Sequence, residues 1–145
     1  MRDKKGYVHC RYLDELEIPL EQQNTNYCNK NDERWEKWKK QRKEYGFDER
    51  ETWNLDHMFV EWIYTRFKMY KEIGGEMVDL TYHHFTYEDK EITQEEAIDI
   101  IIKACEKFLI GYDHGVKVET EEIYYTKLPP EIYKLLGEIM PAMWW

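Results

Sequence analysis

Long apolar runs are missing from this chain. Nothing in its 145 residues approaches the ~20 consecutive apolar positions that a membrane-spanning helix requires. The basic opening, Met1-Arg2-Asp3-Lys4-Lys5, is not followed by the apolar stretch of a secretory signal. Cysteine is sparse too. Cys10, Cys28 and Cys105 are widely spaced and odd in number, which speaks against a chelating pair and a closed disulfide framework. These absences lead us to expect a protein of a reducing cytoplasm. There is no GxSxG, no glycine-rich phosphate loop, no HxxxH or HxH pair and no Cys–His motif of known spacing. Neither an enzyme nor a metal or other cofactor is therefore expected. Positive charge is also in deficit: 21 Lys and Arg against 30 Asp and Glu leave a net charge of −9. A general nucleic-acid coat is disfavoured, because phosphates require a positive face.

What is present describes a soluble globular chain, with 42% hydrophobic and 35% charged residues. A domain of this length buries ~68–70% of its unfolded surface, enough for a core without staples. The surplus lies in the aromatics. Twelve Tyr, six Trp and five Phe exceed what a small core consumes, so some rings are expected at a surface or along a cleft.

Residues 1–31 show little periodicity and read as an N-terminal arm, with Tyr7, Val8, Tyr12, Leu13, Leu16, Ile18 and Leu20 extended along the body. Residues 32–145 read as a single helical domain. A helix is predicted from Asp32 as N-cap, carrying Trp35, Trp38 and Tyr45 on one face and closed by Gly46. A second runs from about Glu51 to Ile73 and stops at Gly74-Gly75. Leu55, Phe59, Trp62, Ile63, Phe67 and Tyr70 keep helical spacing on it, and Trp53, Val60 and Tyr64 form a second apolar face. A helix apolar on two faces is expected to be central and buried. Residues 77–86 alternate like a strand, and a turn near Glu88-Asp89-Lys90 folds a short hairpin onto Glu91-Ile92. Thr93 and Glu96 form a capping box opening a third helix through Leu109 that ends at Gly111. After Val116, Val118, Ile123 and Tyr124, Pro129-Pro130 begins a last helix, with Ile132, Leu135, Leu136, Ile139 and Met140 inward. The expected fold is mainly α: three to four packed helices with a short extended or hairpin segment around 77–92.

The most distinctive phrase is Gly46-Phe47-Asp48-Glu49-Arg50-Glu51-Thr52-Trp53-Asn54-Leu55-Asp56. Asp48 and Thr52 are candidate caps, and the carboxylates that follow suit the positive end of a helix dipole. With the Trp144-Trp145 pair, this phrase resembles a family of small proteins encoded by phages and prophages of Gram-positive bacteria. That family shows a similar acidic-x-x-Trp-x-Leu-Asp phrase and often ends in a tryptophan pair. The resemblance implies a phage origin, with the infected host cytoplasm as the compartment, and carries no chemistry with it.

Candidate ligand-binding residues follow from residue type. Arg34, Lys39 and Arg42 interleave with Trp35 and Trp38, a pattern able to hold phosphates while a ring stacks on a base. The regular spacing also suits an amphipathic helix whose tryptophans dock inward, and favours that account. Trp53 is either a core anchor or a stacking ring. Asp56 lies one turn into its helix, with Arg50, His57 and Arg66 as conceivable partners. His83 and His84 are adjacent on an extended segment and face opposite ways, which argues against a shared metal. Cys105, on an apolar stripe, is expected to act as a small core hydrophobe. Trp144 and Trp145 are expected to dock, either on the helical body or across a homo-oligomer interface with Met140 and Met143.

The functional expectation is a phage-encoded accessory, anti-defence protein. It would sequester a small anionic, nucleotide-derived immune signal without catalysis, using Arg34, Trp35, Trp38, Lys39, Arg42, Trp53, Asp56, Arg66 and His83. The alternatives are an inhibitor that masks a host defence protein and a nucleic-acid binder using the basic helix at 34–43.

Overall fold

A computed structural model describes residues 10–19, 23, 33–114 and 127–145. The protein is mainly helical: among the described residues there are four helices of seven or more residues and one short antiparallel hairpin packed against helices. It groups into two compact units, Met1–Phe59 and Val60–Trp145.

In the first unit a short helix, α1 (Arg11–Glu15), stands where an extended arm was expected. Tyr12 and Leu13 on it, and Ile18 just beyond, are buried. The buried amide of Gln23 helps hold this turn, donating to Asp14 Oδ1 at 3.0 Å and to the Ile18 carbonyl at 2.9 Å. Tyr7, Val8 and Leu20 lie outside the described residues. The next helix, α2 (Trp35–Tyr45), begins after Arg34, whose side chain makes no cap bond among the described residues. Asp32, its expected cap, also lies outside the described residues. Gly46 ends α2 as anticipated, at φ 85°, donating its N–H to the Arg42 carbonyl at 3.0 Å. Only glycine adopts this left-handed conformation without steric cost.

The central helix starts later than its pattern suggests. Glu49–Thr52 is a separate 3₁₀ turn, and α3 spans Leu55–Ile73. Asn54 supplies the true cap: its Oδ1 accepts the His57 N–H at 3.1 Å, satisfying one of the helix's orphan donors. The buried face of α3 is also displaced. Val60, Ile63, Tyr64 and Phe67 are buried, together with His57, Met58, Glu61 and Thr65. Leu55, Phe59 and Trp62 are 67%, 41% and 46% exposed, correcting the expectation that they fill the core. Trp53 is likewise exposed. Two apolar faces on one helix do not reveal which is covered; the packing partners decide.

In the second unit α3 ends at Gly74, where a 3₁₀ turn, Gly74–Glu76, follows. Residues 77–83 are turns and bends, not strand. Asp79 Oδ1 accepts from both the backbone N–H and the hydroxyl of Thr81, at 2.9 and 2.6 Å, and such local bonding competes with a sheet ladder. The hairpin is β1 (His84–Tyr87) against β2 (Lys90–Thr93), with Phe85 opposite Ile92. Its two-residue loop, Glu88-Asp89, has φ of 49° and 61°, and turns of this hand match the strand twist. Thr93 and Glu96 exchange both bonds of the predicted capping box, at 2.8 and 3.2 Å, and open α4 (Gln94–His114). This helix runs through Gly111, where a stop was expected. Glycine weakens a helix by only about 1 kcal/mol and does not by itself end one.

Pro130 starts α5 (Pro130–Ile139) as predicted. The core of this unit gathers Ala97, Ile98, Ile101, Cys105, Phe108 and Leu109 of α4 with Ile132, Leu135, Leu136 and Ile139 of α5. Met140 is exposed, contrary to expectation, because a 3₁₀ turn at Met140–Ala142 carries it off the buried face. Lys71 on α3 pairs with Asp99 on α4, and Tyr64 Oη donates to Glu106 at 3.3 Å. Among the described residues, no helix is long and apolar enough to cross a membrane. Val116, Val118, Ile123 and Tyr124 lie outside them.

Candidate ligand site

The distinctive phrase builds a fixed ionic scaffold in the first unit. Asp48, buried, caps the 3₁₀ turn through the Arg50 N–H at 3.1 Å and completes a capping box with Glu51. Its carboxylate takes a two-point grip from Arg50, at 2.8 and 2.7 Å, and a third bond from Arg42 Nε at 2.6 Å. Burial alone would push the Asp48 carboxyl up. The Arg50 bonds and the charges of Arg50 and Arg42 outweigh it and hold the group below its ordinary value of 3.8. Trp38 is buried, and its Nε1 donates to Glu49 Oε1 at 3.1 Å. The guanidiniums of Arg50 and Arg34 lie 4.3 and 4.7 Å from its ring centroid, and Trp53 meets it edge-on at 6.1 Å. Arg34 is also 5.7 Å from the Trp53 ring.

This arrangement brings together four predicted residues, Arg34, Trp38, Arg42 and Trp53, but commits Trp38 and Arg42 to packing and ion pairing. Trp35 is half-buried and Lys39 exposed on α2, while Asp56 is exposed in the first turn of α3. Arg66 and His83 belong to the second unit. Arg66 donates to Thr65 Oγ1 at 2.9 Å and lies 5.3 Å from the Trp62 ring.

A second locality carries the open geometry of a site. A concavity of about 370 Å³ is lined by Val78, Asp79, Tyr82, His83, Gln94, Ala142 and Trp144. The 79–83 turn is fastened to the start of α4, whose Gln94 and Glu95 N–H groups donate to the His83 and Leu80 carbonyls at 3.0 Å each. Gln94, buried, also donates from Nε2 to the Ala142 carbonyl at 3.2 Å, with Met143 Sδ at 3.4 Å. Residues 142–144 are thereby drawn to the same rim, and Tyr70 Oη adds a bond to the Trp144 carbonyl at 3.2 Å. Tyr82 stands edge-on to His83 at 5.1 Å and is 76% exposed; Trp144 is 70% exposed.

Comparison with protein-family models, curated proteins and solved structures finds no match. The chemistry of the concavity must therefore be read from its own residues. Its lining presents two large rings, an imidazole and a carboxylate, and among the described residues it includes no lysine or arginine. The first N–H groups of α4, a ready anion site in many proteins, are occupied here by carbonyls and the Thr93 hydroxyl. Asp79 stays ionised to low pH because the Thr81 hydroxyl and N–H hold its carboxyl below the ordinary value, against a smaller opposing effect of burial. The arrangement suits a flat, polar-edged ring better than a phosphate. Of the predicted residues only His83 lies here. The sequence did not lead us to expect Tyr82 and Asp79 at a hollow, because the strand reading set 77–83 along a sheet, nor Gln94, which opens a helix. The Asp79-Leu80-Thr81 turn signal was the available clue.

Proposed function

We propose that this is a non-catalytic binding protein that holds a planar heteroaromatic ligand, a nucleobase or nucleoside, in the concavity bordered by Tyr82 and Trp144. The observation that carries this reading is the pairing of two exposed rings on one hollow of ligand size with polar groups beside them. The base end of a nucleotide fits such a lining, with His83 and Asp79 available to its hydrogen-bonding edge. Phosphates would extend outward into solvent. The wider setting we propose, a phage accessory protein that sequesters a nucleotide-derived immune signal, rests on the resemblance of the 46–56 phrase and the tryptophan pair.

Calorimetry and tryptophan quenching against nucleosides, mononucleotides and cyclic dinucleotides test this. We expect nucleoside and nucleotide to bind with similar affinity, and Trp144→Ala or Tyr82→Ala to weaken both at least tenfold. Absence of heat with every compound would sink the reading, and recovery of chemically altered ligand would turn it into an enzyme. A second reading, a protein that masks a host protein surface, is favoured by the exposed rings of the first unit. Tyr45 and Phe47 touch at 6.4 Å there, and Trp53 is exposed. Pull-down of one host protein, lost in Phe47→Ala and Trp53→Ala, would select it.

A further inference from the structure

Within the second unit, α3 carries a face that nothing in the chain's described residues covers. Trp62, Arg66, Met69 and Ile73 recur at intervals of four, three and four residues, the seam spacing of two helices laid side by side. All four are exposed, although the other face of the same helix buries Val60, Ile63, Tyr64 and Phe67. Met77 and Trp145, also exposed, extend the apolar surface beyond Ile73. The Trp145 ring lies so close to Gly74 that a β-carbon there would stand 2.7 Å from it. This surface owes nothing to the concavity, and the inference is independent of the ligand reading.

We infer that this face pairs with the same face of a second copy, α3 against α3 in antiparallel sense. Three observations select a copy over another partner. The first is self-complementarity. A two-fold axis between positions 66 and 69 sets Trp62 of each molecule against Ile73 of the other and Arg66 against Met69, so the four positions cover one another while each Arg66 keeps its own contact with the Trp62 ring at 5.3 Å. The second is charge. In a chain of net charge −9, these four positions hold one cation and no carboxylate, so the seam itself sets no two carboxylates against each other. The third is area. The exposed parts of Trp62, Met69, Ile73, Met77 and Trp145 amount to roughly 600 Å², the upper end of what a monomer's largest patch shows. Doubled by symmetry, that gives about 1,200 Å², the lower bound for a specific interface. The dimer is accordingly concentration-dependent, and it tightens with added salt, which screens the repulsion of the acidic bodies.

Sedimentation of the full chain over a dilution series reads this directly. We expect a monomer–dimer equilibrium that shifts toward dimer at higher ionic strength. The Met69→Lys/Ile73→Lys double variant should be monomeric at every concentration with an unchanged circular-dichroism spectrum, because both side chains are exposed. Arg66→Glu should weaken the dimer at least tenfold, and Arg66→Lys should retain it. Trp144→Ala, which alters the concavity, should leave the equilibrium where it was. A wild-type chain that stays monomeric, a dimer that survives the double variant and Arg66→Glu, or loss of the dimer in Trp144→Ala would each overturn the pairing. So would a host protein found seated on this face of a monomer.

Discussion

Asp48 shows how one residue ties sequence to stability. Its carboxylate is buried among Arg42, Arg50 and a backbone N–H, so removing it takes a charged partner and two hydrogen bonds from the buried guanidinium of Arg50. Asp48→Ala should therefore cost about 3–5 kcal/mol in urea unfolding, well above a surface substitution. The pH dependence has a definite sign. Because the folded carboxyl titrates below its ordinary 3.8, the unfolded chain binds the proton more readily. Asp48 then contributes fully above about pH 5, and the contribution is lost as pH falls through the folded value. Unfolding free energies measured between about pH 5 and 2 should fall less steeply in Asp48→Asn than in wild type; equal slopes would remove Asp48 from the account. Cys105 makes a contrasting case. Burial, then the neighbouring Glu106 charge, pushes its thiol up to about 12, so it carries its proton throughout the physiological range. A thiol reagent should modify Cys105 no faster than the protein unfolds, as mapped by mass spectrometry.

At the scale of elements, α3 is the informative one. Its periodicity declared a helix with apolar residues on both faces, and only packing separated the covered face from the open one. Phe67→Ala should cost about 3–5 kcal/mol, since the ring is buried. Trp62→Ala should cost about 1 kcal/mol or less under dilute, monomeric conditions, because nearly half of that residue is already in water. Similar losses from both would restore the expectation of a helix buried all round. The start of α4 offers a second check. Thr93→Ala deletes the hydroxyl that accepts the Glu96 N–H, and a loss of about 1 kcal/mol is expected in thermal unfolding. Gly74 couples two elements more loosely. Alanine there would meet Trp145 Cδ1 at 2.7 Å, but that ring is largely exposed and free to turn aside. Gly74→Ala should raise acrylamide quenching of Trp145 while leaving the melting temperature nearly unchanged.

The whole molecule combines an acidic exterior with more exposed aromatic surface than its core requires. Tyr82 and Trp144 border the concavity, while Trp62, Met69, Ile73 and Trp145 form the face assigned to a second copy. The two uses are separable by design. Ligand binding should survive Met69→Lys/Ile73→Lys, and dimerisation should survive Trp144→Ala. The expected ligand residues divide between the two units: Arg34, Trp35, Trp38, Lys39, Arg42, Trp53 and Asp56 in one, Arg66 and His83 in the other. Residue type had suggested phosphate-binding arginines. In the structure Arg42 is bonded to Asp48, and Arg34 lies beside Trp38 and Trp53.

Local chemistry was legible without coordinates. Gly46 had to end a helix, Thr93 and Glu96 had to open one, Pro130 suited a first turn, and the apolar stripe of α4 could only face inward. Each of these depends on atoms within a few residues, so sequence alone determined the helical class and the place of the hairpin. Tertiary structure decided what depends on distant partners. It turned Leu55, Phe59 and Trp62 outward, because the surface their helix packs on lies against Val60, Ile63, Tyr64 and Phe67. It also drew Trp144 beside Tyr82 through bonds from Gln94 and Tyr70 that join residues 48 and 74 positions away along the chain. Periodicity can say that a side chain is apolar; only the fold says whether anything stands opposite it.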